Sequence, residues 1–144
     1  MTMEIRLIEI KALADVDLPT LMKRAQESSK STKTIHYRAV KDGETVAFVS
    51  LDRWPELDHM VLYEIFVPKE LRCRGIGSAV LAEVENTAIR EGMPRMRLRP
   101  KPLDQGISQA NLAAWYAKHG YEWDSTTAGD MQKDLSTEID SNKG

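Results

Sequence analysis

The chain has 144 residues, 42% of them hydrophobic and 29% charged, and a formal net charge of −2. That length carries one domain with its own core, the charge supplies no general pull toward nucleic acid, and no apolar run is long enough to span a bilayer. One cysteine, Cys73, excludes an intramolecular disulfide, and with three scattered histidines it makes no dedicated metal site, so none is expected.

At the N-terminus, MTMEIRLIEIK lacks the basic, apolar and small-residue segments of an export leader, so cytoplasmic residence is expected. MEIRLIEI is rich in β-branched and apolar residues and predicts an edge or near-edge strand. Leu18, Leu21, Met22 and Ala25 recur at helical spacing behind Asp17 and Pro19, which suit a cap and a first turn, and give a helix to about Gln26. SSKSTK, residues 28 to 33, reads as a solvated loop. TIHYRAVK and ETVAFVSL flank Asp42-Gly43, a hairpin signal because both turn residues tolerate positive φ. HMVLYEIFV, residues 59 to 67, is a third consecutive strand, apolar enough to lie centrally.

From Gly75 the period lengthens. Ile76, Val80, Leu81, Val84 and Ala88 form one face of a helix that Gly92 and Pro94 end. MPRMRLRP alternates Met96 and Leu98 with Arg95, Arg97 and Arg99, a strand with one charged face that, continued by Lys101, is either merely solvated or a docking surface for an acidic group. A second amphipathic helix runs from about Ser108 to His119, and short strands follow around Tyr121 to Trp123 and Met131 to Leu135. The order is mixed α/β, with one domain over residues 1–135 and a polar, flexible tail over residues 136–144.

The densest chemistry lies in VPKELRCRGIGSAVL, residues 67 to 81, at a strand-to-helix corner. A helix N-terminus exposes unpaired N–H groups and the positive end of its dipole. Gly75 and Gly77 clear the approach to those groups, and Arg72 and Arg74 add donors suited to phosphate, so the corner is suited to a pyrophosphate. A dinucleotide fingerprint would need glycine where Val80 stands, and a P-loop would need Gly-Lys-Ser/Thr. An ordinary tight turn with surface arginines is the plain alternative.

Arg72-Cys73-Arg74-Gly75-Ile76-Gly77-Ser78-Ala79 resembles the Q/R-x-x-G-x-G/A signature of the GNAT superfamily of acyl-CoA N-acyltransferases. Ile65-Phe66-Val67 is similar to that family's central strand, and Tyr116 followed by Gly120-Tyr121 to its later helix, so the resemblance covers roughly residues 3 to 135. It implies a mixed, mostly antiparallel central sheet flanked by helices. It further implies that acetyl-CoA is bound by the 72–79 loop, with a backbone N–H in Ile65 to Val67 polarising the thioester carbonyl. The sequence departs from the pattern at Gln109, where the family often has asparagine; Asn111 is the nearest candidate for that coenzyme contact.

The resemblance implies direct transfer to an amine, with Tyr116 protonating the departing thiolate; otherwise Tyr116 is a core aromatic. Glu64 interrupts an apolar strand and suits a general base, directly or through water, or else pairs with an arginine or faces solvent. His36 and His59 lie near strand ends and also qualify as bases, while His119 belongs to a helix C-terminus. The acceptor, a small amine or a protein, is not decided by residues 13 to 60, and a homodimer is compatible with the sequence. A nucleic-acid or membrane partner is not expected, and a silent coenzyme A sensor is the competing function.

Overall fold

The structure, a computed structural model, describes residues 4–11, 34–54, 58–72, 74–101 and 108–136. The expected helix ending near residue 26, the loop over 28–33, Cys73 and the tail from residue 137 lie outside the described residues. The described chain forms one seven-stranded sheet with spatial order β1-β2-β3-β4-β5-β7-β6. Its strands are β1 (Arg6–Glu9), β2 (Thr34–Lys41), β3 (Glu44–Trp54), β4 (His59–Phe66), β5 (Arg95–Leu98), β6 (Glu122–Trp123) and β7 (Met131–Asp134). Two helices join them, α1 (Ile76–Arg90) and α2 (Gln109–Lys118). As expected, β1 is an edge strand, β4 is central, and the sheet is mixed and mostly antiparallel.

The β2–β3 turn has Asp42 at φ 53° and Gly43 at φ 82°. Positive φ at both positions matches the right-handed twist of the flanking strands. Beyond the turn the strands alternate: Tyr37, Ala39, Val49 and Leu51 enter the hydrophobic core, which α1 completes with Ile76, Val80, Leu81, Val84 and Ala88. Burying each of the valine, leucine and isoleucine side chains among these contributes roughly 1.5–3 kcal/mol. The opposite face of β2 and β3 is buried too, yet polar, with Thr34 opposite Asp52 and His36 opposite Ser50.

Two irregularities shape the centre of the sheet. The only parallel pairing among the described strands joins β4 to β5, and its register ends at Leu62 and Leu98. On the other side of β4 the register slips: Leu51 faces Leu62 while Ser50 faces Glu64, which leaves Tyr63 as an inserted residue. A bulge of this kind bends its strand. β4 therefore continues through Phe66 without β5 beside it.

The basic row on β5 is not simply solvated. Arg97 donates to Asp124 at 2.6 Å and to Gln132 at 3.1 Å, and Arg99 donates to Asp130 at 2.9 Å. Asp124 also accepts the backbone N–H and hydroxyl of Thr126 at 2.8 and 2.7 Å. The β6–β7 connection is thereby tied to β5. The Thr126 N–H, then the Arg97 guanidinium, then the Thr126 hydroxyl hold the Asp124 carboxyl below the usual carboxylate range.

A depressed pKa contributes stability above the unfolded value of about 3.9 and loses it as pH falls through the folded value. Asp124→Asn is expected to lower the melting temperature at pH 7, with the gap to the wild type narrowing below about pH 4. A gap that is the same at pH 7 and pH 3 would show that Asp124 acts by packing alone.

Candidate active site

Where β4 and β5 part, a cavity of about 470 Å³ opens. One wall is β4 and its continuation, Tyr63 to Val67, and Arg99 and Lys101 beyond β5 line it as well. The start of α1, Gly75 to Ser78, lines it, and α2 contributes Asn111, Leu112, Trp115 and Tyr116. Leu71 and Arg72 close the loop between strand and helix. Glu64, Ile65, Phe66, Val67, Arg72, Gly75, Ile76, Gly77, Ser78, Asn111 and Tyr116 thus come together around one space. Arg74 is exposed and Ala79 packs against the core; neither lines the cavity.

The glycine corner has the geometry of an anion site. Gly75 is the N-cap of α1 at φ 78°, in the left-handed region, where a side chain would be strained although the space beside it is open. The first backbone bond of the turn runs from Ala79 N–H to the Gly75 carbonyl. The N–H groups of Ile76, Gly77 and Ser78 precede it, and no described side chain caps them. Gly77 faces the Trp115 indole: a Cβ there would stand 3.5 Å from it, in ordinary contact, so only a side chain that branches further would crowd α2.

Side chains around the corner are held by one another. Arg72 Nε donates to the Val67 carbonyl at 2.8 Å, and its guanidinium lies 5.8 Å from the Phe66 ring centroid. The loop is thereby folded back onto the end of β4. Ser78 Oγ lies 3.0 Å from His119 Nε2, and His119 Nδ1 lies 2.8 Å from the Trp115 carbonyl. A carbonyl only accepts, so Nδ1 carries a proton, and in the neutral ring Nε2 accepts from Ser78. His119 is at the C-terminus of α2 as expected, and it joins that end to the start of α1.

Tyr116 is buried, packed edge-on against Trp115 and Tyr121, with ring centroids 5.0 and 5.6 Å away. Burial pushes its phenol well above the ordinary tyrosine pKa, so it holds its proton at neutral pH. Tyr121 is anchored in turn by donating to Glu85 at 2.9 Å, and Lys133 donates to the same carboxylate at 2.9 Å. Gln109, in the place where asparagine was expected, donates to the Pro100 carbonyl at 3.2 Å, whereas Asn111 lines the cavity.

Glu64 is 7% exposed, lines the cavity and faces Ser50 across the β3–β4 register. The Ser50 hydroxyl is buried with no hydrogen-bond partner among the described residues. His36 is the third residue of β2, buried edge-on against Phe48, and His59 begins β4; neither lines the cavity. The sequence reading missed Tyr63, Leu112 and Trp115. Leu112, Trp115 and Tyr116 fall at i, i+3 and i+4, a spacing that makes one helix face and carried a signal.

A sequence model described as the acetyltransferase (GNAT) family matches residues 5–121. No curated protein sequence matches the chain significantly. Among solved structures, the ribosomal-protein-S18-alanine N-acetyltransferase of Escherichia coli superposes with a TM-score of 0.64 at 18% identity, over 93% of this chain and 94% of that one. PaiA N-acetyltransferase of Thermoplasma acidophilum, in complex with coenzyme A, gives 0.59 at 18% identity over 93% and 99%. A GNAT family acetyltransferase of Elizabethkingia anophelis with acetyl-CoA bound gives 0.59 at 17% identity over 91% and 98%. At these identities the likeness is one of fold. The family match itself runs from the edge strand through the glycine corner to Tyr121, and by it the chain belongs to the GNAT family of acetyltransferases.

Proposed function

We propose that the protein transfers an acetyl group from acetyl-CoA to a primary amine by direct attack. The observation that carries this reading is the cleft between β4 and β5, which has open helix N–H groups at the glycine corner and a protonated, buried phenol in its wall. The unpaired N–H groups of Ile76 to Ser78, with the positive end of the α1 dipole, receive the pyrophosphate, and Arg72 adds charge. The acyl-bearing arm lies along Ile65 to Val67. There β4 has no β5 partner, so a backbone N–H on that side is available to the thioester carbonyl.

In the chemical step the amine lone pair attacks the carbonyl carbon and the C–S bond then breaks. The thiolate takes the Tyr116 proton, and the nitrogen loses its proton to Glu64, directly or through water. The high pKa of Tyr116 keeps the acid loaded throughout the neutral range. No covalent enzyme intermediate is required. A protein that binds coenzyme A without turnover is the competing reading, and thiol release with amine panels discriminates the two.

Gly77→Val would push branched carbons toward Trp115 and the mouth of the anion site. Acetyl-CoA affinity by calorimetry is expected to fall about tenfold or more, the effect of losing one hydrogen bond to a charged phosphate at about 1.5–3 kcal/mol; unchanged affinity removes the corner from the binding site. Tyr116→Phe keeps the ring packing and is expected to lower kcat by roughly ten- to ten-thousand-fold while acetyl-CoA affinity holds. Wild-type turnover in that variant makes Tyr116 structural. Glu64→Gln is expected to reduce kcat/KM and to shift or abolish the acidic limb of the pH–rate profile, whereas an ion-pairing role alone would lower the melting temperature and leave the profile in place.

A further inference from the structure

His119 and Ser78 meet between the end of α2 and the start of α1, and their contact reaches the glycine corner. Ser78 is the third residue of α1, lines the cavity and places its Oγ 3.0 Å from His119 Nε2. The other ring nitrogen, Nδ1, lies 2.8 Å from the Trp115 carbonyl, which keeps a proton on that nitrogen in either charge state of the ring. The direction of the Ser78 hydrogen bond therefore depends on a single proton, the one on Nε2.

In the neutral ring Nε2 accepts, the Ser78 hydroxyl donates to it, and the Ser78 oxygen has only lone pairs left for the cavity. That polarity is wrong for a phosphate oxygen, which also accepts. In the imidazolium both nitrogens donate, Nδ1 to the Trp115 carbonyl and Nε2 to Ser78 Oγ, and the hydroxyl proton is released toward an anion beside the N–H groups of Ile76 to Ser78. The helix dipoles act in the same sense, because the C-terminus of α2 favours a cation at His119 while the positive start of α1 opposes it until an anion arrives there. Charged groups on the surrounding elements are Lys118 on α2, exposed; Glu85 on α1 and Lys133 on β7, paired with each other at 2.9 Å; and Arg72 and Arg74 in the loop before α1. Burial keeps the neighbouring phenols of Tyr116 and Tyr121 neutral. Of these residue types only histidine ordinarily changes charge between about pH 5 and 8.

We propose that His119 is a positioning residue of the coenzyme site: as the imidazolium it turns the Ser78 hydroxyl to the pyrophosphate, so that the protein takes up a proton from solvent as it binds coenzyme A. The inference rests on the acetyl-transfer reading of the cleft and adds a regulation to it. Because the complex favours the protonated ring, the coenzyme is held tightly at the acid end of the histidine range and more weakly as pH rises through it.

The test measures binding of 3′-dephospho-coenzyme A by calorimetry between about pH 6 and pH 8, where a histidine changes charge. This probe keeps the pyrophosphate and lacks the phosphomonoester of coenzyme A, a group that itself titrates at about pH 6. Wild-type affinity is expected to be about tenfold higher at the acid end, the effect of one hydrogen bond to a charged group. His119→Gln and Ser78→Ala are each expected to bind with an affinity that no longer changes with pH. In the 15N spectrum of the wild-type imidazoles, the probe is expected to move the titration of His119 to higher pH, a signature that a packing role does not produce. Flat wild-type affinity, a slope that survives in either variant, or a His119 titration that the probe leaves in place overturns the proposal. A protein that binds neither the probe nor coenzyme A at any pH removes the acetyl-transfer reading and this inference with it, whereas binding that ignores pH removes only the role of His119.

Discussion

Parallel strands need continued hydrogen bonding to stay together, and β4 and β5 stop pairing after Leu62 and Leu98. The rest of the site follows from that. Past this point β4 carries its backbone on alone to Phe66, turns through Lys69–Leu71 and delivers the chain to the start of α1. A sheet that stayed closed would spend those backbone groups on a neighbour. Because it opens, one strand edge and one helix N-terminus face a common space, and both are rich in unpaired N–H groups. The bulge at Tyr63 contributes to the same geometry, since it bends β4 where the partner is lost.

An open seam in a central sheet needs reinforcement elsewhere. It comes from polar contacts that cross between elements on either side of the gap. His119 links the end of α2 to Ser78 at the start of α1, and Tyr121 and Lys133 converge on Glu85 of α1. The Arg97–Asp124 and Arg99–Asp130 pairs bind the last hairpin to β5. Exposed ion pairs are worth little individually, but Asp124 and Arg97 have side chains only 7% and 19% exposed, where competition from water is reduced. The cleft is thus framed by elements braced at their ends.

Local chemistry was legible in the sequence. Asp42-Gly43 dictates its hairpin through the φ values of two residues, Gly75 its corner through one, and the apolar spacing from Ile76 to Ala88 declares the buried face of α1. These signals sit within a few residues of their effects. The features that escaped depend on distant partners. Nothing in HMVLYEIF marks Tyr63 as an inserted residue, because the slip is a relation between β3 and β4. The arginines of β5 look solvated until the hairpin some thirty residues later brings Asp124 and Asp130 to them. Gly77 reads as room for a ligand, and only the packed structure shows Trp115 occupying part of that room.

The strand order also bears on how the chain is made. β5 is flanked by β4 on one side and by β7 on the other, and β7 comes from residues 131–134, well after β5 in the chain. At ribosomal speeds of roughly 5–20 residues per second, the outer edge of β5 waits some seconds for its partner during synthesis. An unpaired strand edge beside a hydrophobic core invites pairing between nascent chains. Arg95 and Arg97 stand on that waiting edge, and their charge keeps like strands apart until Asp124 and Asp130 emerge to receive Arg97 and Arg99. The same arginines would then serve twice, as a guard against misassembly while the edge is bare and as a fastener once it is covered.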